Sequence, residues 1–224
     1  MSIGLAIFVK TPGLSPVKTR LAKSVGREVA EDFYKLSLKA TASFAKAIKV
    51  KIPELKIYWA VAEVEGLEKD LWNDFETIPQ GDGTLGERLS FVYDQILNIH
   101  HSVCFIGADS PHLDYLEISN YISTLRKSSP QKFLLGETSD GGFYFFGGSQ
   151  SIPKEIWTAV HYSTETTCHE LCENLNQVGF IELLKESFDI DRVEDFDNYK
   201  KNDFSINDLL AEQRDLLRWV GERF

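Results

Sequence analysis

Three stretches of this 224-residue chain gather side chains that can hold a phosphate or a cation. The first is Lys10-Thr11-Pro12-Gly13-Leu14-Ser15-Pro16-Val17-Lys18-Thr19-Arg20. Two prolines and a glycine stiffen it. Its lysines act as point charges and its arginine as a bidentate fork, the means by which proteins wrap polyphosphate. The Walker pattern is not met, because Val17 stands where a glycine should precede the lysine. The second stretch, Ile106-Gly107-Ala108-Asp109-Ser110-Pro111, puts a carboxylate directly after an apolar run. The third, Asp189-Ile190-Asp191-Arg192-Val193-Glu194-Asp195, offers two carboxylates that share a side if extended. A hard cation such as Mg²⁺ takes one or two carboxylates and completes its shell with water and substrate phosphate. Each stretch also has an ordinary reading: a solvated basic loop, an aspartate capping the next helix, and a solvated acidic turn. Taken together they are complementary, anion binders with metal ligands.

The remaining candidates are weaker. Gly81-Asp82-Gly83-Thr84-Leu85-Gly86 matches G-x-G-x-x-G, but the strand before it is short, polar and interrupted by Pro79. Its glycines let backbone approach a ligand or form a loop into a capped helix. Cys168, His169 and Cys172 lack a fourth ligand for zinc. Cys104 reads as core, and His100-His101 as cationic imidazoles at a helix C-terminus. His112 and His161 lie near strand ends with nothing in the sequence to position them.

The elements that must carry these residues alternate. The continuous apolar run at 3–9 fits a strand buried on both faces, and 55–61, 103–107 and 133–136 also read as strands. Shorter strands are expected at 75–79, 143–146 and 180–184. Helical periods run over 28–48, 115–126, 164–178 and 206–220, and over 85–99 after a Thr84–Glu87 capping box. Alternation of this kind predicts an α/β fold, a doubly wound, mostly parallel but mixed sheet with helices on both faces. No linker or repeat divides the chain, so residues 1–224 read as one domain. Its ligand should lie beyond the carboxyl ends of the strands, where all the polar clusters fall.

Composition sets limits. The net charge of −10 disfavours nucleic acid and anionic membrane as partners. Residues 1–27 nevertheless carry Lys10, Lys18, Arg20, Lys23 and Arg27 without one acid, a charge of +5 against −15 for the rest. Three cysteines form no disulfide framework, which points to a reducing cytoplasm. No apolar run approaches the ~18 residues of a membrane span, and the apolar N-terminus ends too early for a signal peptide.

The motifs, taken in order from residue 8 to 195, resemble the bacterial DUF2064 group of GT-A-fold, nucleotide-diphospho-sugar-transferase-like proteins. That group is related to phospholactate and molybdenum-cofactor guanylyltransferases. The residues carrying the resemblance are Phe8-Val9-Lys10-Thr11-Pro12, Val17-Lys18-Thr19-Arg20-Leu21-Ala22, Gly83-Thr84-Leu85-Gly86-Glu87-Arg88, Ile106 to Pro111, Asp140-Gly141-Gly142-Phe143-Tyr144, and Asp189-Ile190-Asp191 with Glu194-Asp195. The resemblance implies that Lys10, Lys18, Thr19 and Arg20 hold phosphates, Lys18 and Asp109 serving catalysis. It implies a base against Gln80, Gly83 and Gly86, and Mg²⁺ (or Mn²⁺) on Asp109 and Asp191. An acceptor would border Asp140, Gly141 and Gly142. The chain departs from the family's usual pattern near Ser15, at Glu137 and at His161. The expected activity is nucleotidyl transfer from a nucleoside triphosphate to a small phosphate or hydroxyl acceptor with release of pyrophosphate. The rivals are glycosyl transfer from a nucleotide-sugar and nucleotide binding without catalysis.

Overall fold

The computed structural model describes residues 2–127, 131–201 and 209–224. The apolar runs become the centre of one seven-stranded sheet. β1 (Ile3–Val9) lies between β2 (Leu55–Val61) and β4 (Ser102–Gly107), parallel to both, with Ile7 opposite Trp59 on one side and Ile106 on the other. β3 (Glu76–Pro79) pairs in parallel with β2. On the far side follow β5 (Lys132–Glu137), β6 (Phe143–Gly148) and β7 (Phe180–Leu183), in the overall order β3-β2-β1-β4-β6-β5-β7. β6 runs antiparallel to β4 and β5, and β7 is parallel to β5. This is the expected mixed α/β sheet.

Strand alternation sends successive side chains to opposite faces. Leu5 and Ile7 join Phe44 and Ile48 of α2 (Arg27–Lys51) and Ile118 and Ile122 of α4 (Tyr115–Lys127). Ala6 and Phe105 meet Val92 and Tyr93 of α3 (Leu85–Leu97) and Trp157 of α5 (Lys154–Thr158) on the other face. A third cluster docks α1 (Thr19–Val25), α7 (Asp195–Lys201) and α8 (Ala211–Arg223) through Leu21, Phe33, Phe196 and Leu216.

Some boundaries differ from the sequence reading. The helix expected from Thr164 to Val178 is shorter, α6 (Thr167–Leu175). Ser163 sits at φ 64°, and the Thr164 and Thr167 hydroxyls donate to the His161 carbonyl, so the chain turns before the helix starts. The expected start of the last helix at Ile206 lies outside the described residues, and α8 begins at Ala211. Thr84 caps α3 with the anticipated reciprocal box: its hydroxyl accepts the Glu87 N–H while Glu87 accepts the Thr84 N–H. His100 is not a cationic helix end. Burial and nearby Lys56 lower its pKa, and its Nε2 lies 2.8 Å from the Tyr58 hydroxyl.

Between β1 and β4 the strand order reverses, β1 being followed by β2 on one side and flanked by β4 on the other. In open α/β sheets such a switch point leaves a crevice beyond the carboxyl ends of the strands.

Candidate functional site

A cleft of about 1160 Å³ opens there. Its near wall is the loop after β1 and its floor the loops after β4 and β7. The far wall is formed by the β5–β6 loop and the turn before α6.

Lys18 anchors the near wall. It caps α1 in the left-handed region (φ 47°, ψ 47°), uncommon for a non-glycine residue and a sign of tight constraint. This conformation turns its side chain inward, where only 2% of it is exposed. The ammonium lies 2.5 Å from Asp109 Oδ1 and 2.9 Å from Asp191 Oδ1, and donates to the Ile190 carbonyl at 2.6 Å. Burial would depress its pKa, but the two carboxylates outweigh that and raise it. Asp191 shows the reciprocal effect: burial opposes ionisation, yet the Lys18 charge holds its carboxyl below the ordinary range. Arg20 approaches Asp191 at 3.6 Å from the solvent side.

The ordinary readings of the two acidic stretches therefore do not hold. Asp109 does not cap α4; Asp114 does, accepting the Leu116 N–H at 2.8 Å. The 189–195 stretch is pinned rather than free. Ile190 donates to the Asp109 carbonyl at 3.0 Å, and Asp195 accepts the N–H groups of Asp191 and Arg192 at 2.9 and 2.7 Å.

Several further groups support the site. Asp189 accepts a hydrogen bond from the Ser110 hydroxyl, and burial followed by the neighbouring Asp109 charge raises its pKa. Buried Ser37 donates to the Ala108 carbonyl and fixes the exit of β4. Buried Gln213, from the far end of the chain, donates to the carbonyls of Pro111 and Leu113 at 2.9 and 3.0 Å. The Tyr34 hydroxyl accepts the Lys10 N–H at 3.0 Å and donates to the Lys10 carbonyl at 3.1 Å. Ser37 and Tyr34 had no sequence signal beyond polarity on a helix's apolar face.

The structure does not bring every candidate together. Lys10, Lys18, Thr19, Arg20, Gln80, Asp109, Asp140, Gly141, Gly142 and Asp191 line the cleft, whereas Gly83 and Gly86 do not. The Gly83 carbonyl accepts from Arg88 Nε at 3.1 Å within the α3 cap. Gly86 is a packing glycine: a Cβ there would come within 2.5 Å of the Trp157 carbonyl oxygen, so it sets the approach of α3 to α5. Gln80 is 5% exposed and its amide nitrogen donates to the Val9 and Ala60 carbonyls at 3.1 and 2.8 Å. Its first task is to tie the ends of β1 and β2. Lys18 differs from expectation too, since its three donors are all taken by protein oxygens.

On the far wall, Asp140 Oδ1 accepts from the Thr138 hydroxyl at 2.7 Å and the Gly142 N–H at 3.2 Å. Gly141 has φ +84° and would drive a Cβ to within 2.1 Å of the Glu165 carbonyl oxygen. Its own carbonyl accepts the Cys168 N–H at 2.8 Å, which seats the loop on α6. His112 lies behind the floor. It stacks on Phe188 at 3.9 Å with its Nε2 3.1 Å from the Ser187 hydroxyl, and burial pushes its pKa down to about 3. His161 is exposed and held by Glu170.

A bacterial family described as "Uncharacterized protein conserved in bacteria (DUF2064)" matches residues 44–164, more than half of the chain. The chain belongs to the DUF2064 family. The matched segment includes Asp109 and the 138–142 loop but neither Lys18 nor Asp191. No protein of curated function matches the sequence. Among solved structures, one from Desulfovibrio desulfuricans, named for the nucleotide-diphospho-sugar transferases, is 19% identical over 98% of this chain and 99% of that one, with a TM-score of 0.79. The 4-diphosphocytidyl-2C-methyl-D-erythritol synthase of Anaerococcus prevotii is 11% identical over 87% and 92%, TM-score 0.56. The glucosyl-3-phosphoglycerate synthase of Mycobacterium tuberculosis is 8% identical over 99% and 80%, TM-score 0.52. At these identities the likeness is one of fold: this chain has the α/β fold of the nucleotide-diphospho-sugar transferase structures. No helix among the described residues is long and apolar enough to cross a membrane.

Proposed function

We propose that this DUF2064 protein is a divalent-metal-dependent nucleotidyltransferase. An acceptor oxygen attacks the α-phosphorus of a nucleoside triphosphate, the bond to the bridging oxygen breaks, and pyrophosphate leaves with that electron pair. The observation that carries this reading is the buried Lys18 ammonium shared by Asp109 and Asp191 at the switch point of the sheet.

The donor set fits a hard divalent cation. The Asp109 and Asp191 side chains are 47% and 37% exposed, so both reach the cleft. Among the described residues no group of three or more His, Cys, Asp and Glu forms a cage. Mg²⁺ and Mn²⁺ rely on few carboxylates and complete the shell with water and substrate phosphates. When bound, the cation supplies positive charge against the phosphates. Asp109 and Asp191 hold it. Lys10 and Arg20 bind the phosphate tail, while Lys18 holds the two carboxylates in place. Lys10 makes no ion pair among the described residues, and Arg20 meets Asp191 only at 3.6 Å. Catalysis of this kind rests on positioning and electrostatics and needs no covalent nucleophile.

Glycosyl transfer from a nucleotide-sugar is the second reading, supported by the fold shared with the glucosyl-3-phosphoglycerate synthase. The basic loop favours the triphosphate, which brings more negative charge to be held. Incubation with labelled triphosphates and with nucleotide-sugars, with and without Mg²⁺, separates the two. Pyrophosphate is the expected product. Nucleoside diphosphate from a nucleotide-sugar would establish the rival, and tight nucleotide binding without turnover would establish a binding protein.

A further inference from the structure

The cleft is divided by charge. Its basic lining residues, Lys10, Lys18, Arg20 and Arg192, belong to the loop after β1 and the far end of the segment after β7, where Asp109, Asp189, Asp191 and Asp195 offset them. The far wall, with the start of the segment after β7, carries Glu137, Asp140, Glu165 and Glu186, and no lysine, arginine or histidine of these stretches lines the cleft. Among the described residues none of these four acids is in an ion pair, whereas Glu54, Glu76, Glu87 and Glu182 elsewhere each hold a basic partner. That wall also carries the hydroxyls of Ser139 and Ser163, beside apolar Phe143.

The arrangement is built, not a loose acidic rim. The β5–β6 register shifts between Gly136 and Glu137, an irregularity that re-aims the side chain at the strand end. Asp140 is fixed by its bonds to Thr138 and Gly142, and Gly141 is locked against Glu165 and Cys168. The backbone of Ser187 bonds to Glu137 and Ser139, which holds the segment bearing Glu186 against the same wall.

Resting on the reaction proposed above, we infer that the acceptor is a non-anionic polyhydroxy compound, neutral or amine-bearing, and not a phosphate ester or carboxylate. Hydroxyl and ammonium donors gain charge-assisted hydrogen bonds from carboxylates. A phosphorylated acceptor would meet four like charges, while Lys10 and Arg20 are engaged by the triphosphate and Lys18 by Asp109 and Asp191. Juxtaposed like charges are a strong device for rejecting a ligand.

The test uses the full chain loaded with Mg²⁺ and a non-hydrolysable triphosphate analogue. Matched pairs are titrated calorimetrically: glycerol, glucose and glucosamine, each against its phosphate ester, within a wider panel of polyols, sugars and amino sugars. Unphosphorylated members are expected to bind, and their esters to bind at least about tenfold more weakly. The double variant Glu137→Gln, Glu186→Gln should weaken the unphosphorylated ligands by about tenfold and narrow the discrimination. Retained affinity for the analogue would show that this variant is folded. Equal or tighter binding of the esters would overturn the inference, as would failure of every unphosphorylated compound to bind the loaded protein. Failure of the analogue itself to bind would instead overturn the reaction on which the inference rests.

Discussion

The two walls of the cleft are built on different principles. The near wall is electrostatic: a strained lysine sits between two carboxylates drawn from residues far apart in the chain, and long-range ion pairs set its shape. The far wall is a matter of backbone, a short hairpin loop held by a glycine, an aspartate turn and main-chain bonds to α6 and the 187 strand bridge. The first kind of wall suits a ligand part that is always the same and always charged. The second holds its form whatever side chains it displays, so those side chains are free to select.

The comparison can be broken most decisively at Asp109. Asp109→Ala should lower turnover by about 10²–10³-fold, the scale of losing one preorganised charge contact to a reacting phosphate. Steady-state rates against Mg²⁺ concentration would show it, and a wild-type rate would remove the near wall from the chemistry. Lys18→Met comes next. It leaves Asp109 and Asp191 facing each other without their cation, and urea unfolding should reveal a loss of about 3 kcal/mol, near the low end for a broken buried pair because the carboxylates are partly solvated. Unchanged stability would mean that the ion triad is incidental.

Gly141→Ala tests the opposite wall. A side chain there must take a left-handed backbone conformation and displace the Glu165 backbone. We expect a loss of about 2 kcal/mol, the scale of a strained backbone position. The acceptor KM should rise while nucleotide affinity, measured by calorimetry, is preserved. A parallel fall in nucleotide affinity would show that the walls are not separable.

The smallest effect concerns the seam between them. Ser187 bonds to the far wall and Ile190 to the Asp109 carbonyl, with His112 packed beneath. The pKa of His112 is pushed down to about 3 from 6.5, so the folded protein binds fewer protons than the unfolded chain between these values. Stability from this group is present above pH 6.5 and is lost as pH falls towards 3. The slope is up to about 1.4 kcal/mol per pH unit. His112→Gln should flatten the dependence of the urea midpoint over that window, and an unaltered slope would assign the pH sensitivity elsewhere.

The fold was legible where one local signal sufficed. The apolar runs 3–9 and 55–61, the second broken only by Lys56, match the observed strands, and the Thr84–Glu87 box marks the true start of α3. Short helices such as α1, α5 and α7 were not legible, because seven residues or fewer hold too little periodicity to rise above their surroundings. The site was legible as residue types and not as geometry. Lys18, Asp109 and Asp191 stand out as charged residues at strand ends, but nothing local says that Lys18 turns left-handed and meets both carboxylates. Gly86 shows the converse. Its motif resembles a ligand loop, yet its partner is the Trp157 carbonyl, a contact between residues 71 positions apart in sequence that no reading of the motif alone reaches.

The reversed direction of β6 has a practical consequence. Because β6 is antiparallel to both β4 and β5, β5 leaves the sheet and β6 re-enters it at one edge, joined only by residues 138–142. A segment so short, entering and leaving at neighbouring points, can be lengthened, shortened or exchanged without rethreading the sheet or disturbing the loops after β1 and β4. The hairpin tip is thus a natural cassette. Grafting tips from other DUF2064 members onto this scaffold offers a direct route to altering which molecule is modified while leaving the donor unchanged.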